Sequence, residues 1–301
     1  MFLFAEEGGY RQPLVVEFVN YYLGEPVYKF EMATTYKFWT WFFAKFGTTP
    51  EAVFGPYSPE TAIPWYTVMF VIACILTVTA IWIFKGKVSE DDPQPGQLTL
   101  EAAFLALRGL IVTVVGEHGF KYFPVVATFA VLILIANLMG IFPLFMSPTA
   151  HVSVTFALGI TSFIYYNYIG IRENGFLNHI AHFAGPRLPI LMTFVITPLI
   201  FLIELTSNMI RPFTLGIRLF ANMFADEQVA EQISNLFPPY TQILIPVILL
   251  PLAVFVALVQ SFVFTLLSMI YLSEVSHAPH DRTHGGVHSE KTGEAVMSMT
   301  A

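Results

Sequence analysis

Residues 65–84 have the sequence WYTVMFVIACILTVTAIWIF, a run of 20 residues without a charged side chain. A membrane-spanning helix needs about 20 consecutive apolar residues, because each residue advances a helix by about 1.5 Å and the hydrocarbon core is about 30 Å thick. Lys85 and Lys87 close the run. This stretch therefore predicts a helix that crosses a bilayer.

Composition extends this prediction to the whole chain of 301 residues. Hydrophobic side chains make up 55% of it and charged ones 12%, whereas about 25% are charged in an ordinary soluble domain. We therefore predict an all-α polytopic membrane protein. The sequence has no basic stripe, so we expect no nucleic-acid partner. The single cysteine, Cys74, cannot form an internal disulfide, and Met1–Glu7 lacks the basic region of a cleaved signal peptide.

Two apolar stretches follow the first predicted span. Residues 98–118 carry Glu101 and Arg108 on one helical face, so we expect this helix to lie in the plane of the membrane interface. Residues 122–171 contain no Asp, Glu, Lys or Arg, and prolines near their middle divide them into two crossings joined by a tight turn. The predicted crossings are 122–146 and 149–171.

The last two apolar stretches, 188–235 and 240–272, are too long for upright helices. The second would extend on the order of 50 Å, against a hydrocarbon core of about 30 Å. We expect these two helices to be steeply tilted, or broken near Pro246 and Pro251.

The placement of lysine and arginine predicts the orientation, because cytoplasmic loops carry an excess of these residues. Loops 85–121 and 172–187 contain them, whereas connectors 147–150 and 235–239 do not. Counting crossings then gives five spans plus one in-plane helix, with the N-terminus outside and the C-terminus in the cytoplasm.

Three regions follow from this topology. Residues 1–63 form an extracytoplasmic or interfacial region that is rich in aromatic side chains. Residues 64–272 form the membrane domain. Residues 273–301 form a flexible cytoplasmic tail that contains histidines.

Arg218 lies inside the apolar run TLGIRLFAN, residues 214–222, with no other charge nearer than Arg211 and Asp226. An arginine within a membrane helix costs from about 2.5 to more than 10 kcal/mol and usually faces a partner charge or a water-filled path. Arginine also keeps its proton, so burial cannot neutralise it. Arg218 is therefore the strongest candidate for a functional residue.

Glu204, Arg211 and Arg218 are spaced by seven residues, so a continuous helix would place all three on one stripe. Asn208 and Asn222 lie four residues from Glu204 and Arg218 and would extend the stripe. Pro212 and Gly216 weaken the helix between them. Asp226, Glu227 and Glu231 follow, and Gln260 belongs to the last apolar stretch. Such a polar face suits the movement of a small cation.

Other interpretations remain open at this point. Arg211 could snorkel or pair with Glu204 in a static bridge, and Arg218 could itself hold helices together as one partner of an ion pair. A self-contained channel or transporter would pair Glu204 with Arg218 within the chain. An intramembrane enzyme would use His179 and His182 as metal ligands, but no acidic or cysteine ligand lies near them, and we expect no metal.

The stretch IRPFTLGIRLFANMFA, residues 210–225, resembles the signature of subunit a of F-type ATP synthases, in its bacterial form. NLMGIFP (137–143), Glu204 and VQSFVF (259–264) are similar to the same family, so the resemblance covers about residues 64–272. It implies long tilted helices packed against a rotating ring of c subunits, with two offset aqueous half-channels.

By this resemblance, Arg218 is the stator arginine that faces the essential carboxylate of each passing c subunit. The resemblance also implies that Glu204, Asn222, Glu227 and Gln260 surround the arginine or line the channels, and that Arg211 and Thr214 line the same surface. Any relay between them would run through Glu227, Asp226 or water. Ala253 and His151 depart from the family pattern, the first where some bacterial members place a histidine.

The resemblance further implies the partners and the location. The partners would be the c-subunit ring, the b subunits of the peripheral stalk, the other ATP synthase subunits and the lipid bilayer. The chain would be a non-catalytic subunit of a proton-transporting complex, without a cofactor, in the bacterial plasma (inner) membrane.

Overall fold

The computed structural model describes residues 4–7, 10–50, 52, 58–59, 62–86, 88–89, 93–142, 145–176, 190–234 and 240–276. Within these residues, eight α-helices follow a short antiparallel hairpin of β1 (Phe4–Glu7) and β2 (Tyr10–Pro13), in which Ala5 lies opposite Gln12. The helices are α1 (Leu14–Ala33), α2 (Thr35–Ala44), α3 (Trp65–Lys85), α4 (Pro95–Val114), α5 (Phe123–Met139), α6 (Val152–Asn174), α7 (Ile190–Ser234) and α8 (Tyr240–Ser276).

The helices begin and end close to the positions that the sequence predicts. The span expected at residues 65–84 is α3, and the expected pair of crossings is α5 and α6. A 3-10 turn, Glu117–Tyr122, leads into α5, and a second one, Pro148–Ala150, lies between α5 and α6. α5 ends at Met139 rather than at residue 146, because Gly140 and the prolines that follow do not favour further helical turns.

Five described segments are long and apolar enough to cross a membrane: α3, α4, Glu117–Met139, α6, and residues Val247–Ser276 of α8. Apart from the short hairpin before α1, these segments and the helices around them confirm the prediction of an all-α polytopic membrane protein. α4 is among them, although the sequence predicts that it lies in the interface plane. Its 20 residues have the length and composition of a crossing, and the in-plane orientation stays a prediction.

The last two helices are long, as predicted. α7 has 45 residues and continues through Pro198 and Pro212, and α8 has 37 residues and continues through Pro246 and Pro251. The break near Pro246 and Pro251 that the sequence allowed does not occur. At about 1.5 Å per residue the helices extend about 68 Å and about 56 Å, well beyond a hydrocarbon core of about 30 Å.

The chain divides into two compact units, each built from separate stretches. The first unit takes Met1–Leu100, Thr128–Thr155 and Ile217–Phe262, and the second takes Glu101–Ala127, Phe156–Gly216 and Val263–Ala301.

In the first unit, α1 is fixed against the chain that leads into α3. Asn20 is buried; its Nδ2 donates to the carbonyl of Ile63 and its Oδ1 accepts from the Ile63 N–H, both at 3.0 Å. Gly24 lies so close to the Pro59 carbonyl that an added Cβ would stand 2.2 Å from the oxygen. The core of this unit joins α1, α3 and α5 through Val16, Val68, Met69, Ala73, Ala136 and Met139.

In the second unit, segments of α4, α5, α6 and α8 enclose a separate apolar core. Ser273 Oγ donates to the Val114 carbonyl at 2.8 Å, and Asn174 Nδ2 donates to the Val275 carbonyl at 2.9 Å. These bonds attach the C-terminal end of α8 to α4 and α6. The buried side chains of this core include Ile111, Val115, Tyr122, Tyr166, Met269 and Leu272.

Candidate functional site

Arg218 lies in α7 with its side chain exposed. Ile217 and Phe224 are exposed near it in the same helix, whereas Leu219 and Met223 are buried. Among the described residues, none forms a hydrogen bond or an ion pair with Arg218. The helix therefore presents a permanent positive charge on an apolar surface.

One turn after Arg218, Asn222 forms a hydrogen bond with α8. Asn222 Nδ2 donates to Gln260 Oε1 at 2.5 Å. Gln260 is 2% exposed, and its Nε2 has no hydrogen-bond partner among the described residues. The next residue, Ser261, donates from Oγ to the Ala130 carbonyl at 2.7 Å, which fixes this part of α8 against α5. The amide pair of Asn222 and Gln260 thus has an exposed end and a buried end.

Glu227 reaches the connection between α5 and α6. The Ser147 N–H donates to Glu227 Oε1 at 3.2 Å. Gly140 makes this approach possible, because an added Cβ there would lie 3.0 Å from the Ser147 Cβ and 3.4 Å from Glu227 Oε1. Asp226, the neighbouring acid, is half-buried.

From Ser147 a buried chain of polar side chains continues to α5. The hydroxyls of Ser147 and Thr149 are 2.7 Å apart, and Thr149 Oγ1 donates to Asn137 Oδ1 at 2.6 Å. Ser147, Thr149 and Asn137 are all 1% exposed or less, and Asn137 Nδ2 has no partner among the described residues. We call Glu227, Ser147, Thr149 and Asn137 the Glu227 network.

In the second unit, Arg211 forms a two-pronged ion pair with Glu274 of α8. Arg211 Nη1 lies 2.6 Å from Glu274 Oε2, and Nη2 donates to Oε1 at 2.9 Å. The guanidinium carbon stands 5.0 Å from the ring centroid of Tyr271. We call Arg211, Glu274 and Tyr271 the Arg211 clamp. Its geometry is that of the strong, charge-assisted fork that arginine forms with carboxylates.

The static bridge between Arg211 and Glu204 that the sequence spacing allowed is not formed. Seven residues along one helix separate these side chains by about two turns, a longer reach than the i,i+3 and i,i+4 contacts that helices favour. Glu204 is half-buried, and no described residue bonds to it. Asn208, which lies between them in sequence, instead accepts a hydrogen bond from the Tyr166 hydroxyl at 2.7 Å and donates to Asn167 at 3.3 Å.

An open cavity of about 660 Å³ adjoins the Arg211 clamp in the second unit. Its walls are mostly apolar, and the charged group in its lining is the Arg211 guanidinium. Thr214 is exposed, and its Oγ1 donates to the Arg211 carbonyl at 2.9 Å. The lining includes Leu202, Thr206, Ile210, Arg211, Thr214 and Tyr271.

Residues 66–273 match the family model described as the ATP synthase A chain. This chain belongs to that family. It is 37% identical to ATP synthase subunit a of Solibacter usitatus over 72% of this chain and 89% of the relative. It is 34% identical to ATP synthase subunit a of Aquifex aeolicus over 68% of this chain and 94% of the relative. It is 35% identical to ATP synthase subunit a of a Sulfurihydrogenibium species over 71% of this chain and 98% of the relative.

The stretch that matches the ATP synthase A chain family contains the Glu227 network, Asn222 with Gln260, and Arg211. It ends one residue before Glu274, and α1 and α2 precede it. Of the residues that the sequence singled out, the structure joins Asn222 with Gln260. It places Glu227 in a network with three residues that sequence reasoning missed, Ser147, Thr149 and Asn137. Asn137 stands in one of the motifs that carry the resemblance, but no spacing rule connects it with Glu227. Glu274, the partner of Arg211, was missed as well, because 63 residues separate the two.

His151 caps the N-terminus of α6 and is held by aromatic rings. Its ring stacks on Tyr66 at a centroid distance of 3.8 Å and meets Trp65 edge-on at 5.7 Å. The Ser153 N–H donates to His151 Nδ1 at 3.3 Å. Burial lowers the pKa of His151 below its ordinary value.

His179 and His182, the histidines considered as metal ligands, lie outside the described residues, as does the chain after Ser276.

Proposed function

We propose that this chain is the proton-translocating stator subunit in the membrane sector of an ATP synthase. Membership of the ATP synthase A chain family supports this role. The observation that carries its mechanism is Arg218, a permanent cation exposed on an apolar stretch of α7. We propose that Arg218 faces the carboxylate of each passing subunit of a c ring. The chain itself would be non-catalytic.

The charge of Arg218 couples proton transfer to the movement of the ring. A nearby cation favours the ionised form of a carboxylate, whereas the surrounding lipid favours the protonated form. Each carboxylate must therefore release its proton before it reaches Arg218 and can bind another only after it has passed. Two half-channels, each open to one side of the membrane, would supply and remove these protons. Direct leakage between them is blocked because no protonated carboxylate passes the arginine.

We assign the remaining polar residues to the path and to its walls. Asn222 and Gln260 would keep the surroundings of Arg218 polar. Glu227, with Asp226 beside it, would belong to one half-channel, and Glu204 to the surroundings of the other. Arg211 and Thr214 would line the surface that meets the ring.

The Glu227 network supports a proton path through this region. Buried polar groups in proteins are normally hydrogen-bonded, often to ordered water. Asn137 Nδ2 and Gln260 Nε2 are buried donors without a partner among the described residues, so both are sites at which water molecules of a proton path would bind. Ser147 and Thr149 supply hydroxyls that both donate and accept, as proton transfer along a chain requires.

The setting of this function would be the bacterial plasma (inner) membrane. The N-terminus would lie outside and the C-terminus in the cytoplasm, as the distribution of lysine and arginine predicts. Besides the c ring, the partners would be the b subunits of the peripheral stalk and the other ATP synthase subunits.

Arg218→Ala tests the proposal. In membrane vesicles that contain the assembled complex, we expect the variant to lose coupled ATP synthesis and ATP-driven proton pumping. It should allow passive proton leak, because carboxylates would then pass the site in either form. Synthesis is measured as ATP formed under an imposed proton gradient, and leak as the decay of that gradient. Normal coupled synthesis by Arg218→Ala would refute the assignment.

A further inference from the structure

α7 contains two arginines, Arg211 and Arg218, and no lysine. A carboxylate that moves along the surface of this helix would be attracted by either cation. A single stopping point on the path therefore requires that one of the two charges be cancelled.

The structure cancels the charge of Arg211. Glu274 meets its guanidinium with both carboxylate oxygens, at 2.6 and 2.9 Å, and Tyr271 covers it at 5.0 Å. The Arg211 side chain is 17% exposed, so solvent screens this pair only partly. Arg218, by contrast, is exposed and has no such partner among the described residues.

We propose that Glu274 is a positioning residue for proton translocation, which acts by neutralising Arg211 so that Arg218 alone attracts the carboxylate of the ring. This inference rests on the function proposed above. It assigns a role to a residue near the end of α8 that touches neither the proton nor the ring carboxylate. Glu274 acts through Arg211, by removing a second stopping point from the path.

Glu274→Gln removes the negative charge of Glu274 but keeps the size and shape of the side chain. The amide keeps an oxygen that accepts a hydrogen bond from Arg211, but Arg211 then becomes a second free cation. A carboxylate held at a second site slows the ring, so we expect ATP-driven proton pumping to fall on the order of tenfold per assembled complex. In the double variant Arg211→Gln/Glu274→Gln neither group is charged, and pumping should recover several-fold above that of Glu274→Gln.

The matched control is Glu173→Gln. Glu173 also forms an interhelical ion pair within the second unit, with Lys121, and accepts a hydrogen bond from the Tyr122 hydroxyl. Its loss should leave pumping per assembled complex near that of the unaltered protein. Pumping is followed with a pH-sensitive dye in membrane vesicles, and the amount of assembled complex is measured on native gels.

Rescue by the second substitution is read per assembled complex, because removing both partners also relieves the structural cost of an unpaired, largely buried charge. That structural relief changes the amount of assembled complex, whereas the proposed role changes the pumping of each complex. The proposal is overturned if the double variant pumps as slowly as Glu274→Gln, or if Glu274→Gln pumps normally. It is also overturned if Glu274→Gln fails to assemble while the double variant assembles, since the pair would then serve folding. Arg218→Ala in the same vesicles tests the proposed function separately: normal pumping by that variant would refute the function itself, whatever Glu274→Gln does.

Discussion

The polar side chains of the two units are satisfied in different ways. Two ion pairs of the second unit join segments that are distant in sequence, Arg211 with Glu274 and Lys121 with Glu173. In the first unit an arginine is exposed, and two buried amide donors, Asn137 Nδ2 and Gln260 Nε2, lack a partner among the described residues. Ion pairs hold segments of the chain together, whereas an exposed cation and amide donors without a described partner are available to bind ligands. We therefore propose that the cation and the buried donors of the first unit act directly in transport, whereas the ion pairs of the second unit fix segments of the chain and neutralise Arg211.

After Arg218, the largest effect that would test this comparison is expected at Glu227. Glu227→Gln removes a carboxylate that accepts a hydrogen bond from the Ser147 backbone N–H, beside the buried hydroxyls. We therefore expect coupled ATP synthesis to fall by about tenfold or more. Asp226→Asn is the matched comparison, because Asp226 is the adjacent acid and is also half-buried. We expect a smaller loss there. Synthesis is measured as ATP formed per assembled complex. Equal losses in the two variants would contradict a role of the Glu227 network in transport.

A smaller loss of transport is expected from Gln260→Met. The substitution removes the acceptor for Asn222 together with a buried donor that lacks a described partner. Since removing an unsatisfied donor offsets the loss of one hydrogen bond, stability should change by less than about 1 kcal/mol. Pumping should fall several-fold. A thermal unfolding midpoint that drops sharply while pumping is retained would show that Gln260 serves packing instead.

In the second unit, Gly159→Ala should act on packing. An added Cβ at Gly159 would lie 2.6 Å from the Pro212 carbonyl and 3.4 Å from the Gly216 N–H, so α6 and α7 could not approach as closely. We expect a loss of about 1–3 kcal/mol, seen as a lower unfolding midpoint of the purified complex. Gly109→Ala is the control, because nothing lies within 4 Å of an added Cβ there. The control should be neutral or slightly stabilising, and an equal loss in both variants would contradict the close approach.

The smallest effect concerns His151 and pH. Because burial lowers its pKa in the folded chain, the unfolded chain binds the proton first as the pH falls. Stability should therefore decline as the pH drops below about 6.5, by less than about 1 kcal/mol since the ring is only half-buried. His151→Asn keeps a side chain that caps helices but does not titrate, so its stability should depend less on pH between 7 and 5. An unchanged dependence would mean that other groups cause it.

Sequence predicted the helices well because the apolar runs are long and their ends are marked by charges and prolines. Trp65–Lys85 is the simplest case, since composition alone determines a span of this kind. The continuity of α8 through Pro246 and Pro251 could not be predicted. A proline removes one backbone hydrogen bond, and only the packing of the folded chain decides whether the helix continues past it.

The functional site was only partly predictable. Arg218 is visible in the sequence because a charge inside an apolar run is costly wherever the run folds. The partners of the other polar residues are set by tertiary contacts across long stretches of chain. Ser147 lies 80 residues from Glu227, and Glu274 lies 63 residues from Arg211. No local pattern encodes such separations, so the sequence offered Glu204 as the partner of Arg211 and missed Glu274.

The most direct test of the central claim compares the two arginines in one assay. ATP synthesis driven by a proton gradient is measured in vesicles that contain either Arg218→Gln or Arg211→Gln/Glu274→Gln, at equal amounts of assembled complex. Because Arg218 is the exposed cation and Arg211 is already neutralised, we predict no synthesis above background for Arg218→Gln and clearly measurable synthesis for the double variant. Synthesis by Arg218→Gln, or equal loss in both, would contradict the account.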